Sequence, residues 1–211
     1  MSTSASGRRA EGRRQRSDGA ATRAGILRTA ASMATVHGLD GLTIGMLASE
    51  VGMSKSGLYA HFGSKEELQL ATIDEAQRIF DVDVVEPAMR HPAGLDRLLA
   101  LCDGFFDHLR GRTFPGGCFF VSAALEMGTR PGPVKAAIVA FQEGLSRLIA
   151  ECAQAAISAG DLAADERPDF LAFELNGMIV AADAAFVLRD DPAVLDLASA
   201  VVRRRLRVAD R

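Results

Sequence analysis

The 211-residue chain has no tryptophan, a single tyrosine and three cysteines. Cys102, Cys118 and Cys152 are odd in number and without close pairs, which argues against a disulfide framework or a zinc site. Glycine and proline, at 20 and 7, are too sparse for a fibrous or low-complexity chain. No apolar run reaches the ~18 residues that crossing a bilayer requires. The N-terminal "MSTSASGRRAEGRRQRSDGA" has charge but no apolar stretch behind it, so it does not read as a signal peptide. The expectation is a soluble, cytoplasmic protein with no membrane partner. The body of the chain also lacks a nucleophile–base motif, metal-ligand spacing and a glycine-rich phosphate loop. An enzyme is therefore not expected, and neither a cofactor nor a metal. No segment alternates apolar and polar residues with a period of two, which argues against a sheet.

What is present begins with an uneven charge. From Met1 to Lys65 there are nine Lys/Arg and four Asp/Glu, a balance of +5; the remainder carries −8, giving the net −3. A basic front on an acidic body suggests that one part meets a polyanion and the rest does not. A basic arm without a partner would show the same balance. Residues 1–20, rich in Ser, Gly and Arg, can bury nothing and read as a flexible basic arm.

Beyond the arm the pattern is helical nearly throughout, so the fold class is all-α. "RAGILRTAASMATVHG" repeats apolar residues every three and four positions and stops at Gly38. "TIGMLASEV" is capped by Thr43, and Ser54 caps another short helix that Gly63 ends. Ser64 and Glu67 form an S-x-x-E start for a helix reaching about Val85, with Pro87 and Pro92 marking a break. Further helices are expected over "GLDRLLALCDGFFDHLR", "CFFVSAALEM", Pro133 to Gly160, Pro168 to about Leu188, and from Pro192 to "RRRLR".

Two short helices joined by a turn containing Gly are the signature of a helix-turn-helix. Ala48 is small enough for the crossing, Gly52 suits the turn, and Leu47, Val51 and Leu58 fill the wedge. In "SKSGLYAHF", Leu58 and Phe62 form an inward stripe. Ser54, Lys55, Ser56, Gly57, Tyr59 and His61 cover the other faces, a surface that is small, hydroxylic and cationic. Such a face can enter a major groove, whereas a solvated helix would carry Glu and Lys. Tyr59 and His61 can donate to phosphate oxygens. Lys65 sits in the first turn of the next helix, where the dipole disfavours a cation unless an anion is bound there too.

"LTIGMLASEVGMSKSGLYAHFGSKEEL" resembles the DNA-binding segment of the tetracycline-repressor (TetR) family of bacterial regulators, over about fifty residues from Arg23 to Leu70. The resemblance implies a homodimeric, ligand-responsive repressor released from a palindromic operator on double-stranded DNA. A three-helix DNA-binding domain over residues 21–66 would precede an effector-binding and dimerisation domain over 67–211. By motif position, Thr43 caps the first motif helix against a phosphate. Ser54, Lys55, Ser56 and Gly57 begin the base-reading helix, and Tyr59, His61 and Lys65 take phosphate positions. Gly57 departs from the Thr, Ala or Ser of many members, which shifts readout toward Lys55 and DNA shape. The arginines Arg8, Arg9, Arg13, Arg14 and Arg16 would reach the minor groove or backbone, or act as charge alone.

A small apolar or amphipathic effector would be held by Phe105, His108, Phe119, Phe120, Phe141, Asn176 and Met178, although core packing explains each of them, taken singly, more readily. His108 and Asn176 stand out because polar groups on buried faces need partners. Cys118 reads as a buried structural thiol rather than a reactive sensor. "FLAFELNGMIVAADAAFVL" is apolar nearly all round, so it needs cover on two sides. A dimer through the last two helices would supply it, as would a central position in one large bundle. A small-molecule carrier that never meets DNA is the competing function.

Overall fold

The computed structural model describes residues 22–206; the basic arm and its arginines lie outside the described residues. Among the described residues the chain is all helix, with no strand. Helix α1 covers residues 22–37, and α2 (Ile44–Glu50), α3 (Lys55–Phe62) and α4 (Lys65–Phe80) follow. A π-helical segment, Asp81–Val85, joins α4 to α5 (Glu86–Met89). Then come α6 (Leu95–Arg110), α7 (Phe119–Met127), α8 (Pro133–Ala159), α9 (Pro168–Arg189) and α10 (Ala193–Arg205).

Local chemistry sets most of these boundaries. The Thr43 hydroxyl accepts from the Met46 amide at 3.2 Å, Ser54 from Gly57 at 3.0 Å, and Ser64 from Glu67 at 3.1 Å. Each satisfies an amide that the first helical turn leaves without a partner. Gly52 and Gly63, at φ +67° and +65°, take the left-handed conformation that turns the chain before and after α3.

Pro87 does not break the helix as expected. The Glu86 amide reaches the Asp81 carbonyl, five residues back, so the turn ahead of Pro87 is widened. A ring with no N–H is tolerated there because the ordinary i→i−4 ladder is already interrupted. One helical rod therefore runs from Lys65 to Met89.

The apolar side chains gather in two clusters. The N-terminal one holds Ile26, Leu27, Leu42, Leu47, Leu58, Phe62 and Leu68 among others, with Ala30 and Ala48 where helices approach closely. Leu68 belongs to it and Ala71 packs against it, although the rest of α4 serves the body. The larger cluster joins α4 and α6–α10, and takes in Ala31 and Ala34 from the neighbouring strip of α1. Helices α1 and α4 are thus walls of both. Within the body α8 packs on α9 and α9 on α10, while α4 lies against α8.

Helix α9 is long and apolar enough to cross a membrane by composition, which the expectation of no such run did not anticipate. One side of it, Leu171, Leu175, Ile179, Ala182 and Phe186, is buried in the body. On the other, Phe173 and Leu188 are 80% and 84% exposed, and on α10 Leu197 is 66% exposed. Four ion pairs hold α10 in place. Arg203 meets Asp103 at 2.5 Å, Arg110 meets Asp196 at 2.7 Å, and Arg205 meets Glu174 and Glu166 at 2.6 and 2.9 Å. The terminal arginines are therefore not simply a solvated helix end.

Candidate nucleic-acid interface and effector cavity

Helix α3 is anchored by two side chains and presents the rest. Leu58 and Phe62 are buried; Ser54, Lys55, Ser56, Tyr59 and His61 are exposed, with Gly57 half-buried. Phe62 is further held by Arg23, whose guanidinium lies 4.7 Å from its ring centroid. Ser54 and Ser56 share a hydrogen bond of 3.2 Å between hydroxyls. A Cβ added at Gly45 would sit 3.2 Å from the Lys55 Cε, so the bare α2 backbone leaves a track for the lysine stem. Thr43 is exposed at the start of α2 beside this face. The outcome is a continuous surface of hydroxyls, one phenol, one imidazole and one ammonium.

Lys65 differs from expectation. Its ammonium donates to the Asp40 carbonyl at 2.5 Å and to the Asp40 carboxylate at 2.9 Å. Asp40 supplies the anion that the helix start was expected to find in a phosphate, and any phosphate must compete with it. Asp40 also pairs with Arg130 in the loop after α7, and these bonds to Arg130 and Lys65 hold its carboxyl below the usual range.

The loop carrying Asp40 is gripped from the body. Glu126 of α7 accepts from the Leu39 amide at 2.6 Å and the Asp40 amide at 2.9 Å. Gln69 of α4 donates to the Leu39 carbonyl at 2.9 Å. A second tie joins the Gly116 amide to the Thr35 hydroxyl at 3.1 Å. There a Cβ on residue 116 would fall 2.0 Å from the Thr35 carbonyl oxygen. None of Glu126, Gln69, Gly116 and Thr35 was singled out in the sequence. The only trace of Glu126 is a carboxylate in the otherwise apolar "CFFVSAALEM".

The residues expected around an effector divide. Phe105, Phe120, Phe141 and Asn176 line one small inner void of about 30 Å³, with Cys118 and Ile179. Phe119 lies behind it, between Phe114 and Phe120 at centroid distances of 6.2 and 5.2 Å. His108 is turned away: its Nδ1 lies 3.0 Å from the Asp83 carboxylate, and its ring meets Phe80 and Phe114 edge-on. Its polar requirement is met internally. Burial lowers its pKa, outweighing Asp83, which pulls the other way. Met178 does not face this void; it borders an open groove with Val201, Arg204 and Arg205.

Phe141 also forms a wall of an outer cleft of about 290 Å³, with Gln77, Phe80, Asp81, Val85 and Gly144. Cys118 is buried, and burial pushes its thiol up to about 12, which makes it inert rather than a sensor. Its amide donates at 2.9 Å to Asp183, a carboxylate only 3% exposed on α9. Burial raises the Asp183 pKa to about 6 against the opposing pull of that amide. Asp183 was overlooked in the sequence, although a lone acid in "IVAADAAF" signals a buried charge in need of a partner.

Comparison with known proteins was made on sequence and on fold. A family model described as bacterial regulatory proteins of the TetR family matches residues 26–72. One described as the tetracyclin repressor-like C-terminal domain matches residues 94–202. A TetR transcriptional regulator from Chloroflexus aurantiacus aligns with a TM-score of 0.83 at 23% identity, covering 90% of this chain and 96% of that one. AibR, solved with isovaleryl coenzyme A and operator DNA, gives 0.69 at 23% identity over 86% and 97%. CifR, a TetR family transcriptional regulator solved as a cysteine mutant with a 26-base-pair double-strand operator, gives 0.73 at 25% identity over 89% and 97%. No curated protein sequence matches the chain.

Proposed function

This chain belongs to the TetR family of bacterial regulatory proteins, and from that premise we propose that it is a homodimeric, cytoplasmic repressor released from a palindromic operator by a small apolar or amphipathic effector. The observation that carries the reading is the α3 surface. Two buried anchors hold a helix whose remaining faces are exposed, small and hydrogen-bonding, with Lys55 as the one side-chain ammonium. In the proposed division, residues 21–66 read DNA and 67–211 bind effector and partner.

Ser54, Lys55, Ser56 and Gly57 enter the major groove, and Thr43, Tyr59 and His61 meet phosphates. Lys65 joins them only by exchanging Asp40 for phosphate. The CifR–operator complex, at 25% identity, supports a double-stranded partner. The dimer forms through the exposed face of α9 and α10. On α9, Gly177, Ala181 and Ala184 form a small-residue track flanked by Phe173 and Leu188, which lets two helices approach closely. A two-fold axis there presents two α3 helices to half-sites about one turn of DNA apart, roughly 34–36 Å.

The rod from Lys65 to Met89 connects the two units. Its start packs with the DNA-reading cluster, and Phe80 and Asp81 near its far end line the outer cleft. An effector that fits the released state better than the bound one shifts the population by that difference in affinity. The test is selection of duplexes from a random library, followed by titration at several salt concentrations. A palindromic consensus with steeply salt-dependent affinity is expected. Enrichment of no sequence, or salt-independent binding, removes the proposal in favour of a carrier that does not read DNA.

A further inference from the structure

The outer cleft and the inner void meet at one side chain. Phe141 lines both, and so does Leu145. The Phe141 ring stacks flat on Phe120, centroids 3.4 Å apart and planes 7° from parallel, and meets Phe80 edge-on at 5.3 Å. Ring contacts of this kind add only modestly to what burial contributes, little enough for a ligand to overcome. Gly144, one turn further along α8, leaves open space beside it, since a Cβ added there would have no neighbour within 4 Å. Turning Phe141 aside joins spaces of 290 and 30 Å³ into about 320 Å³, within the size range of small-molecule sites.

The cleft is charged on one side only. Asp81 opens the π-helical segment and is half-buried at the cleft wall. Its hydrogen bond is to Gln77 and its charged neighbour is Glu86, another acid. No lysine or arginine lines the cleft, and no cation pairs with Asp81 among the described residues. Arg78, nearby on α4, is engaged by Glu75 through two hydrogen bonds of 2.9 and 2.6 Å. A half-buried carboxylate without a counter-ion costs free energy that an incoming cation recovers. Phe80 and Phe141 add aromatic faces, which attract organic cations. A carboxylate or phosphate-bearing ligand would meet Asp81 with a like charge.

We propose that this cleft takes an amphiphilic organic cation, a protonated amine on an aromatic or aliphatic body, with the amine at Asp81 and Phe141 swinging aside to admit the body. The inference deepens the effector-binding reading and rests on it for its regulatory consequence. Asp81 directly continues α4, so neutralising it acts on the part of the rod beyond the DNA-reading unit.

The test uses the full-length protein and three probes on one ring system: tryptamine (cationic), tryptophol (neutral) and indole-3-acetate (anionic), titrated by calorimetry. Tryptamine is expected to bind at least tenfold more tightly than tryptophol, with indole-3-acetate weakest. Asp81→Asn is expected to bring tryptamine and tryptophol within about threefold of each other. Phe141→Ala is expected to alter both affinities and keep their ratio. Equal or better binding of the neutral or anionic probe, an undiminished ratio in Asp81→Asn, or no heat from any probe at millimolar concentration overturns the proposal. The three-probe comparison in the unmodified protein holds whether or not a variant folds. Titration of the library-selected duplex on the same preparation separates the two levels. DNA binding without cation preference removes the ligand class alone, and absent DNA binding removes the regulator reading.

Discussion

Glu126→Ala tests how the body holds the DNA-reading unit. Glu126 accepts from two backbone amides 87 and 86 residues away, those of Leu39 and Asp40, at 2.6 and 2.9 Å. A hydrogen bond to a charged group contributes about 1.5–3 kcal/mol, and partial exposure puts these at the lower end. Removing both, and leaving the amide of the buried Leu39 without its acceptor, is expected to cost about 3 kcal/mol. For a chain of this length that corresponds to roughly 6–12 °C in Tm. Glu126→Gln keeps one acceptor oxygen and is expected to lose about half as much. Leu125→Ala, at the neighbouring 79% exposed position, serves as the control and is expected to change stability by less than about 0.5 kcal/mol. Urea denaturation gives the free energies, and amide exchange at Leu39 and Asp40 reports the local release. A loss below about 0.5 kcal/mol in Glu126→Ala, with exchange at residues 39 and 40 unchanged, would refute the grip.

Asp183 supplies a pH dependence whose sign is fixed by burial. Its folded carboxyl, raised from 3.8 to about 6, binds protons that the unfolded chain has released, so its contribution to stability falls as pH rises from about 4 to 6. Asp183→Asn retains an acceptor for the Cys118 amide and is expected to gain up to about 3 kcal/mol at pH 7 relative to the parent, with the gain vanishing near pH 4; urea midpoints across that range read it. Gly116→Ala drives a methyl against the Thr35 carbonyl, and a loss of at least about 2 kcal/mol in denaturant is expected, because backbone cannot yield as a side chain does. Phe173→Glu combined with Leu197→Glu charges the exposed α9–α10 face. Sedimentation is expected to show a monomer with intact helical circular dichroism, and duplex affinity should fall at least about a hundredfold.

The local features of this fold were readable because their causes are local. Ser54 and Ser64 cap helices through amides three residues away, and Leu58 and Phe62 repeat at the spacing of a buried stripe. Pro87 misled, because the π-helical turn that accommodates it depends on the body packed around Asp81–Val85 and not on any motif. The Lys65–Asp40 pair was hidden because its members lie 25 residues apart. The same holds for Glu126 with Leu39. Sequence spacing says nothing of such meetings, which only the approach of α4 and α7 to the α1–α2 loop creates. In the body, four of the seven expected effector residues meet at the inner void. Met178 went elsewhere because the nearly apolar α9 offers no period from which its inward face can be told, and His108 because its ring is taken by Asp83, 25 residues away.

The most direct measurement is duplex affinity of the Lys55→Ala/Tyr59→Ala/His61→Ala variant, whose three positions are all exposed on α3. With two copies of the face in a dimer, binding of the library-selected duplex should weaken at least about a hundredfold. The slope of log affinity against log salt should also become shallower by about two, one for each Lys55 lost. A folded dimer of unchanged Tm that still binds that duplex with parental affinity and salt slope would contradict α3 as the reading surface.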